Sequence, residues 1–172
     1  MDSKKALNKE NQFWQINNDL VNIGATYVSL LIFDGNNEVV YSKSSNLDWA
    51  DEFTSTGLYK SCHLLNEANS QMSLHDNSFT IVWDLYSPQT ELAKALDDIR
   101  KSKNITHGVG FCLKNGNGSR LMLNVAGKYT DINFGFNVLK KRKEVYHELY
   151  TFILRKQPHL ISELLLQKSD RY

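Results

Sequence analysis

The chain has 172 residues and a formal net charge of +1, from 20 Lys+Arg against 19 Asp+Glu. That length gives one domain with a real core and is too short for two ordinary ones. The balanced charge argues against a nucleic-acid binder, whose footprint would be basic, and 41% hydrophobic with 23% charged residues excludes a disordered chain.

Two cysteines, Cys62 and Cys112, do not make a disulfide scaffold. The N-terminal MDSKKALNKENQ carries positive charge with no apolar run behind it, so it does not read as a secretory signal. No stretch approaches the roughly 18 consecutive apolar residues of a membrane span. These features predict a soluble cytoplasmic protein with free thiols, a single domain over 1–172 and no membrane contact.

In chain order, Phe13, Ile16, Leu20 and Ile23 recur at helical spacing and predict a helix over 6–23 that Gly24 ends. The β-branched and aromatic run 26–33 is a strand, 34–37 a turn, and 38–42 the returning strand of a hairpin. Residues 48–68 read as helix in two pieces broken near Gly57, and the polar stretch 69–78 as loop. Phe79 to Trp83 is a short buried strand. Ser87-Pro88 opens a helix with Leu92, Leu96 and Ile99 as its apolar face. Two strands, 107–113 and 120–126, flank a turn over 115–118. A long helix over 137–157 follows, with Leu139, Val145, Leu149, Phe152 and Ile153 facing inward. Pro158 interrupts it before a short helix over 159–167. About five mostly antiparallel strands with helices before, between and after them predict an α/β fold of the α+β kind, a three-layer α-β-α sandwich.

The middle of the chain concentrates aromatic and polar residues. Trp49 and Phe53 stand at i, i+4 on one helical face, Tyr59 and Cys62 at i, i+3 on the next segment, and Trp83 closes a strand. Aromatic walls with a few polar points are the usual makings of a small-molecule site. The plainer reading of the same spacing is a set of core aromatics.

In order and spacing, SNLDWADEF, LYKSCHL, FTIVW, HGVGFCL and GSRLMLNVA resemble the autoinducer-binding domain of LuxR-type quorum-sensing regulators, over about residues 8–157. The resemblance implies that Trp49 donates its indole N–H to a lactone carbonyl and that Phe53 replaces a ligand-packing Tyr. It implies that Leu47 replaces a Tyr whose hydroxyl bonds the ligand amide, that Trp83 and Gly108 match a family Trp and Gly, and that Asn124 falls near a residue contacting the acyl chain. Cys62 stands where the family keeps an Asp that accepts the ligand's amide N–H, and His63 replaces the Pro after it. A charged hydrogen bond of that kind is worth about 1.5–3 kcal/mol, so its loss weakens binding roughly ten- to hundred-fold. The ligand expected is therefore an amphipathic signal with an apolar tail, different from a standard acyl-homoserine lactone, met by Trp49, Phe53, Tyr59, Trp83 and Leu47 with Cys62, His107 and Asn124 as polar points. The family's helix-turn-helix has no room in this sequence. The chain is then either an excised sensor or a stand-alone version, touching DNA only through a module it lacks and pairing as a homodimer or as a heterodimer with a related regulator.

Other chemistry is weaker. Adjacent on a helix, Cys62 and His63 point about 100° apart and form no dyad. Cys62 with His107 and Asp48 or Asp51 lacks any nucleophile signature. Cys62, His63, His75 and His107 contain no C-x-x-C or H-x-x-x-H pair for a metal. Gly108-Val109-Gly110 sits inside a strand, where close packing or a nearby ligand explains it better than a nucleotide loop. Lys140 to Lys143 reads as a solvated face. The expectation is a non-enzymatic domain without cofactor. The alternative is a protein-interaction domain with a collapsed pocket that modulates a regulator.

Overall fold

A computed structural model of the chain describes residues 13–75, 77–114 and 118–156, with side chains as far as 151. The start of the first helix, the tip of the turn at 115–117, the inward faces expected of Phe152 and Ile153, and the short helix over 159–167 lie outside the described residues.

Helix α1 covers residues 13–21. Strands β1 (Tyr27–Phe33) and β2 (Val39–Ser44) form the expected hairpin, followed by α2 (Leu47–Ser55), a 3-10 turn (Leu58–Ser61) and α3 (His63–Leu74). Then come β3 (Ser78–Val82), a second 3-10 turn (Trp83–Leu85), α4 (Glu91–Ser102), β4 (His107–Lys114), β5 (Arg120–Gly127), α5 (Phe134–Leu139) and α6 (Arg142–Lys156). The strands lie in the order β2-β1-β5-β4-β3, and all four pairings are antiparallel. The predicted sandwich is the observed one.

Strand alternation explains the layers, because successive side chains leave a sheet on opposite faces. Val28, Leu30 and Ile32 of β1 join Leu121, Leu123 and Val125 of β5 in one core. Phe13, Ile16 and Leu20 of α1, Phe134 and Val138 of α5, and Val145 and Leu149 of α6 cover it. Tyr27, Leu31 and Phe33 join Met122 and Ala126 in a second core, covered by Trp49 and Phe53 of α2, Leu64, Leu65, Ala68 and Met72 of α3, and Leu96 of α4.

Four local expectations change. Helix α3 runs on to Leu74, through the stretch expected as loop, because Ala68 and Met72 extend the buried stripe of Leu64 and Leu65. One apolar stripe suffices for a surface helix, so a polar outer face does not end it. Helix α4 is capped by Thr90, whose side chain accepts from the Ala93 N–H at 3.1 Å, three residues after the expected cap. Its buried face is Ala93, Leu96, Asp97 and Arg100, while Leu92 and Ile99 are 58% and 38% exposed. The long last helix is two, α5 and α6. The Lys141 N–H closes a tight bond to the Val138 carbonyl between them, and the exposed run Lys140 to Lys143 gives the sheet nothing apolar to grip. Trp83 belongs to a 3-10 turn and not to the end of a strand. The break near Gly57 stands, with φ at +75°, a left-handed conformation that costs glycine little.

Candidate functional site

Asn46 starts the site. Its side chain accepts the Trp49 backbone N–H at 3.0 Å and caps α2, so the first turn of that helix is fixed at Trp49. One helical turn on, Phe53 stacks on Trp49 with ring centroids 5.1 Å apart. Both rings point down onto the sheet, and Trp49 is only 2% exposed. Across the gap, Trp83 lies flat over Gly108. A Cβ added there would come within 2.6 Å of the Trp83 ring and 2.7 Å of the Val125 carbonyl, so the absence of a side chain lets the indole descend onto β4.

Between these rings, the sheet and α4 lies a cavity of about 480 Å³ of atom-free space, counted out to its mouth. The part of that space open to a water-sized molecule totals only about 30 Å³, room for one or two waters. Trp49, Phe53, Cys62, Trp83 and Asn124 line it, together with Tyr27, Ser29, Leu31, His63, Asp97, Arg100 and Ile105. The floor comes from β1 and β5, where Ser29 pairs in register with Asn124 and accepts from its amide at 3.4 Å.

Three residues expected here lie elsewhere. Leu47 is 70% exposed, because it precedes Trp49 by two residues and so lies about 200° around the same helix. Tyr59 faces a broad polar groove beside Asn36, Asn37 and Lys60, and its hydroxyl donates to Glu38 at 2.7 Å. The His107 ring bridges two acceptors outside the cavity, the Asp84 carboxylate at 2.9 Å and the Tyr129 carbonyl at 3.1 Å.

The charged groups on the wall come from α4. Arg100 donates through Nη1 to the Ile105 and Thr106 carbonyls at 2.5 and 2.9 Å, and through Nη2 to Asp97. Lys101 reaches the other Asp97 oxygen at 2.5 Å. Burial pushes the Asp97 carboxyl up, but the bonds from Lys101 and Arg100 outweigh it and hold the group below its ordinary range. The Arg100 guanidinium lies 4.9 Å from the centre of the Trp83 ring, a cation–π geometry. Position 62, where the resemblance implies a carboxylate, holds a thiol that burial pushes above its usual pKa. The carboxylate on this wall is Asp97.

At the floor, burial raises the pKa of the Tyr27 phenol, opposed by hydrogen bonds with Ser29, Ser44 and the Trp49 indole. Burial also lowers the pKa of the His63 imidazole, so His63 is neutral near pH 7. A protonated thiol next to an imidazole on the same helical turn is a poor nucleophile pair. Among the described residues, no three His, Cys, Asp or Glu side chains are placed to hold a metal ion, and no helix is long and apolar enough to cross a membrane. The arrangement suits binding: apolar walls with donors and acceptors at the α4 side.

Asp97, Arg100, His63, Tyr27 and Ser29 were not among the residues expected. The signal for the first two lay in the sequence, because residues 93, 96, 97 and 100 keep helical spacing. The rival stripe of Leu92, Leu96 and Ile99 keeps the same spacing and is wholly apolar, so it reads as the buried face.

No protein-family model and no curated protein sequence matches the chain. Solved structures do. Escherichia coli SdiA superposes with a TM-score of 0.62 at 13% identity over 88% of this chain and 63% of SdiA. CepR2 from Burkholderia cenocepacia, an N-acylhomoserine-lactone-dependent LuxR-family transcription factor, gives 0.61 at 12% identity over 83% of this chain and 80% of its own. SdiA in complex with octanoyl-rac-glycerol gives 0.59 at 14% identity over 86% and 59%. At such identities the likeness establishes the fold, which is that of LuxR-family autoinducer-binding domains. The chain spans less than two thirds of SdiA's length.

Proposed function

We propose that this chain is the ligand-sensing domain of a LuxR-type transcriptional regulator. In this reading the cavity between α2, α3, α4 and the sheet takes an amphipathic molecule with an apolar tail, different from a standard acyl-homoserine lactone. Trp49, Phe53 and Trp83 wall it, and Cys62 and Asn124 face it. The observation that carries the reading is the cavity itself, bordered by Trp49 in a fold shared with an SdiA structure that holds octanoyl-rac-glycerol. The domain acts in the cytoplasm and catalyses nothing. Its output is dimerisation, with itself or a related regulator, and through that transcription control. Any DNA contact comes from a module outside this sequence.

The coupling is thermodynamic. A ligand that binds only the folded state stabilises it by RT ln(1 + [L]/Kd), about 2.7 kcal/mol at a hundredfold excess over Kd. For a domain of this size that raises Tm by about 5 °C or more. Octanoylglycerol is expected to produce such a shift, N-octanoyl-homoserine lactone a smaller one, and Trp49→Phe to reduce the first while the protein stays folded.

One observation favours the second reading, an interaction domain with a collapsed pocket: the open space beside Trp49 holds only one or two waters, too little for a ligand without movement of its walls. On that reading neither lipid shifts Tm, and Trp49→Ala costs about 3–5 kcal/mol as a large-to-small core change.

A further inference from the structure

The resemblance assigns the head-group hydrogen bond to the Trp49 indole. In this chain that indole lies close enough to the Tyr27 hydroxyl to influence its titration, and it is not among the buried polar groups left without a partner. Trp83, on the same cavity, is in the opposite condition. It is 6% exposed, and its indole N–H is buried with no acceptor among the described residues. An N–H lost from water without a replacement acceptor is a standing penalty that an incoming acceptor removes.

The neighbourhood of that donor is electropositive. The Arg100 guanidinium lies 4.9 Å from the Trp83 ring centre. Arg100 has five N–H groups. Three of them go to Ile105, Thr106 and Asp97, leaving two. The one carboxylate on the wall, Asp97, is engaged by Arg100 and Lys101 on separate oxygens. The α4 end of the cavity therefore offers donors in excess of acceptors.

We propose that this end, Trp83 with Arg100, is the head-group subsite, and that the molecule it takes presents a hydrogen-bond acceptor there, a carbonyl or a carboxylate, with the apolar tail running past Trp49 and Phe53. This rests on the ligand-sensing reading above. It moves the head group from α2, where the resemblance puts it, to the junction of α4 and β4. The rigid positioning of Arg100 by two backbone carbonyls and Asp97 leaves the guanidinium little freedom to lose on binding, which favours a planar acceptor.

Three probes with equal tails separate the outcomes by calorimetry: decanoate, 2-decanone and decylammonium. The proposal expects decanoate or 2-decanone to bind at least tenfold more tightly than decylammonium. It expects Trp83→Phe, which keeps a six-membered ring but loses the N–H together with the five-membered ring, to weaken the preferred probe about five- to tenfold while weakening decylammonium less. Whichever of decanoate and 2-decanone leads identifies the acceptor as carboxylate or carbonyl. In the unaltered protein the indole N–H resonance of Trp83 should move downfield when that probe binds, a readout independent of how well the variant folds. Equal binding of all three probes, or an unmoved Trp83 resonance on binding, overturns the head-group assignment and leaves the pocket reading standing. No binding by any of the three overturns both.

Discussion

Asp97 and Arg100 are each less than a tenth exposed, and their value lies in being paired. Removing one partner of a buried pair strands the other, which costs about 3–5 kcal/mol, more than the pair contributes against an apolar replacement. Asp97→Ala is therefore expected to lower unfolding stability by about 3 kcal/mol in a urea titration, with Lys101→Ala, on the exposed side of the same carboxylate, costing under 1 kcal/mol. His63 gives a pH signature. Its folded pKa lies below the ordinary 6.5 because burial disfavours the charged form. The unfolded chain thus binds a proton there first, and stability falls as pH drops from about 6.5 toward the folded value. The depressed Asp97 carboxyl adds a second loss at lower pH, below its ordinary 3.8. Melting curves of the parent and of His63→Gln should diverge between pH 7 and 5, the variant being flatter, and run parallel above pH 7.

Helix α2 presents Trp49, and its placement depends on one cap. Asn46 accepts the Trp49 N–H at 3.0 Å while Ser44 and Asn46 bond each other across the strand end. Asn46→Ala is expected to cost about 1 kcal/mol by denaturant titration and to weaken ligand binding by more than that loss explains, because the helix start drifts; Asn46→Asp should restore both. Helix α4 is capped the same way by Thr90, whose side chain accepts the Ala93 N–H at 3.1 Å. Two adjacent stripes share Leu96 on this helix, and the buried one is Ala93, Leu96, Asp97 and Arg100 because Arg100 finds the Ile105 and Thr106 carbonyls and Asp97 there.

In the whole molecule, the two cysteines report on one core, between the sheet and helices α2 to α4, Cys62 from the helical cover and Cys112 from β4. Cys62 is 8% and Cys112 2% exposed, and burial pushes the Cys112 thiol up to about 12. Since the thiolate is the reactive form, both should resist an aromatic disulfide reagent at pH 8 in the native protein and react along the global unfolding transition. A bound acyl probe should slow labelling of both if it stabilises the folded state as a unit, and rapid native-state labelling of Cys62 alone would mean that the α2–α3 cover opens independently of the sheet.

Alternation and helical spacing determined the layers of this protein without help from any distant contact. Val28, Leu30 and Ile32 against Tyr27, Leu31 and Phe33 assign two faces to β1, and the hairpin turn at Asp34 to Asn37 sets its antiparallel neighbour. Hydrophobic periodicity is a local property, so sequence carries it. Spacing put the rings at 49 and 53 on one helical face but read them equally well as plain core; the resemblance set them apart together with Trp83, and all three line one cavity. The polar chemistry was not legible. Tyr59 and His107 fell outside the cavity and Asp97 and Arg100 inside it, because whether a polar side chain faces water or a pocket depends on which partners α4, the Ile105–Thr106 backbone and β4 bring within about 3 Å. Only the packed chain decides that, since a buried charge is tolerable only where its partner already stands.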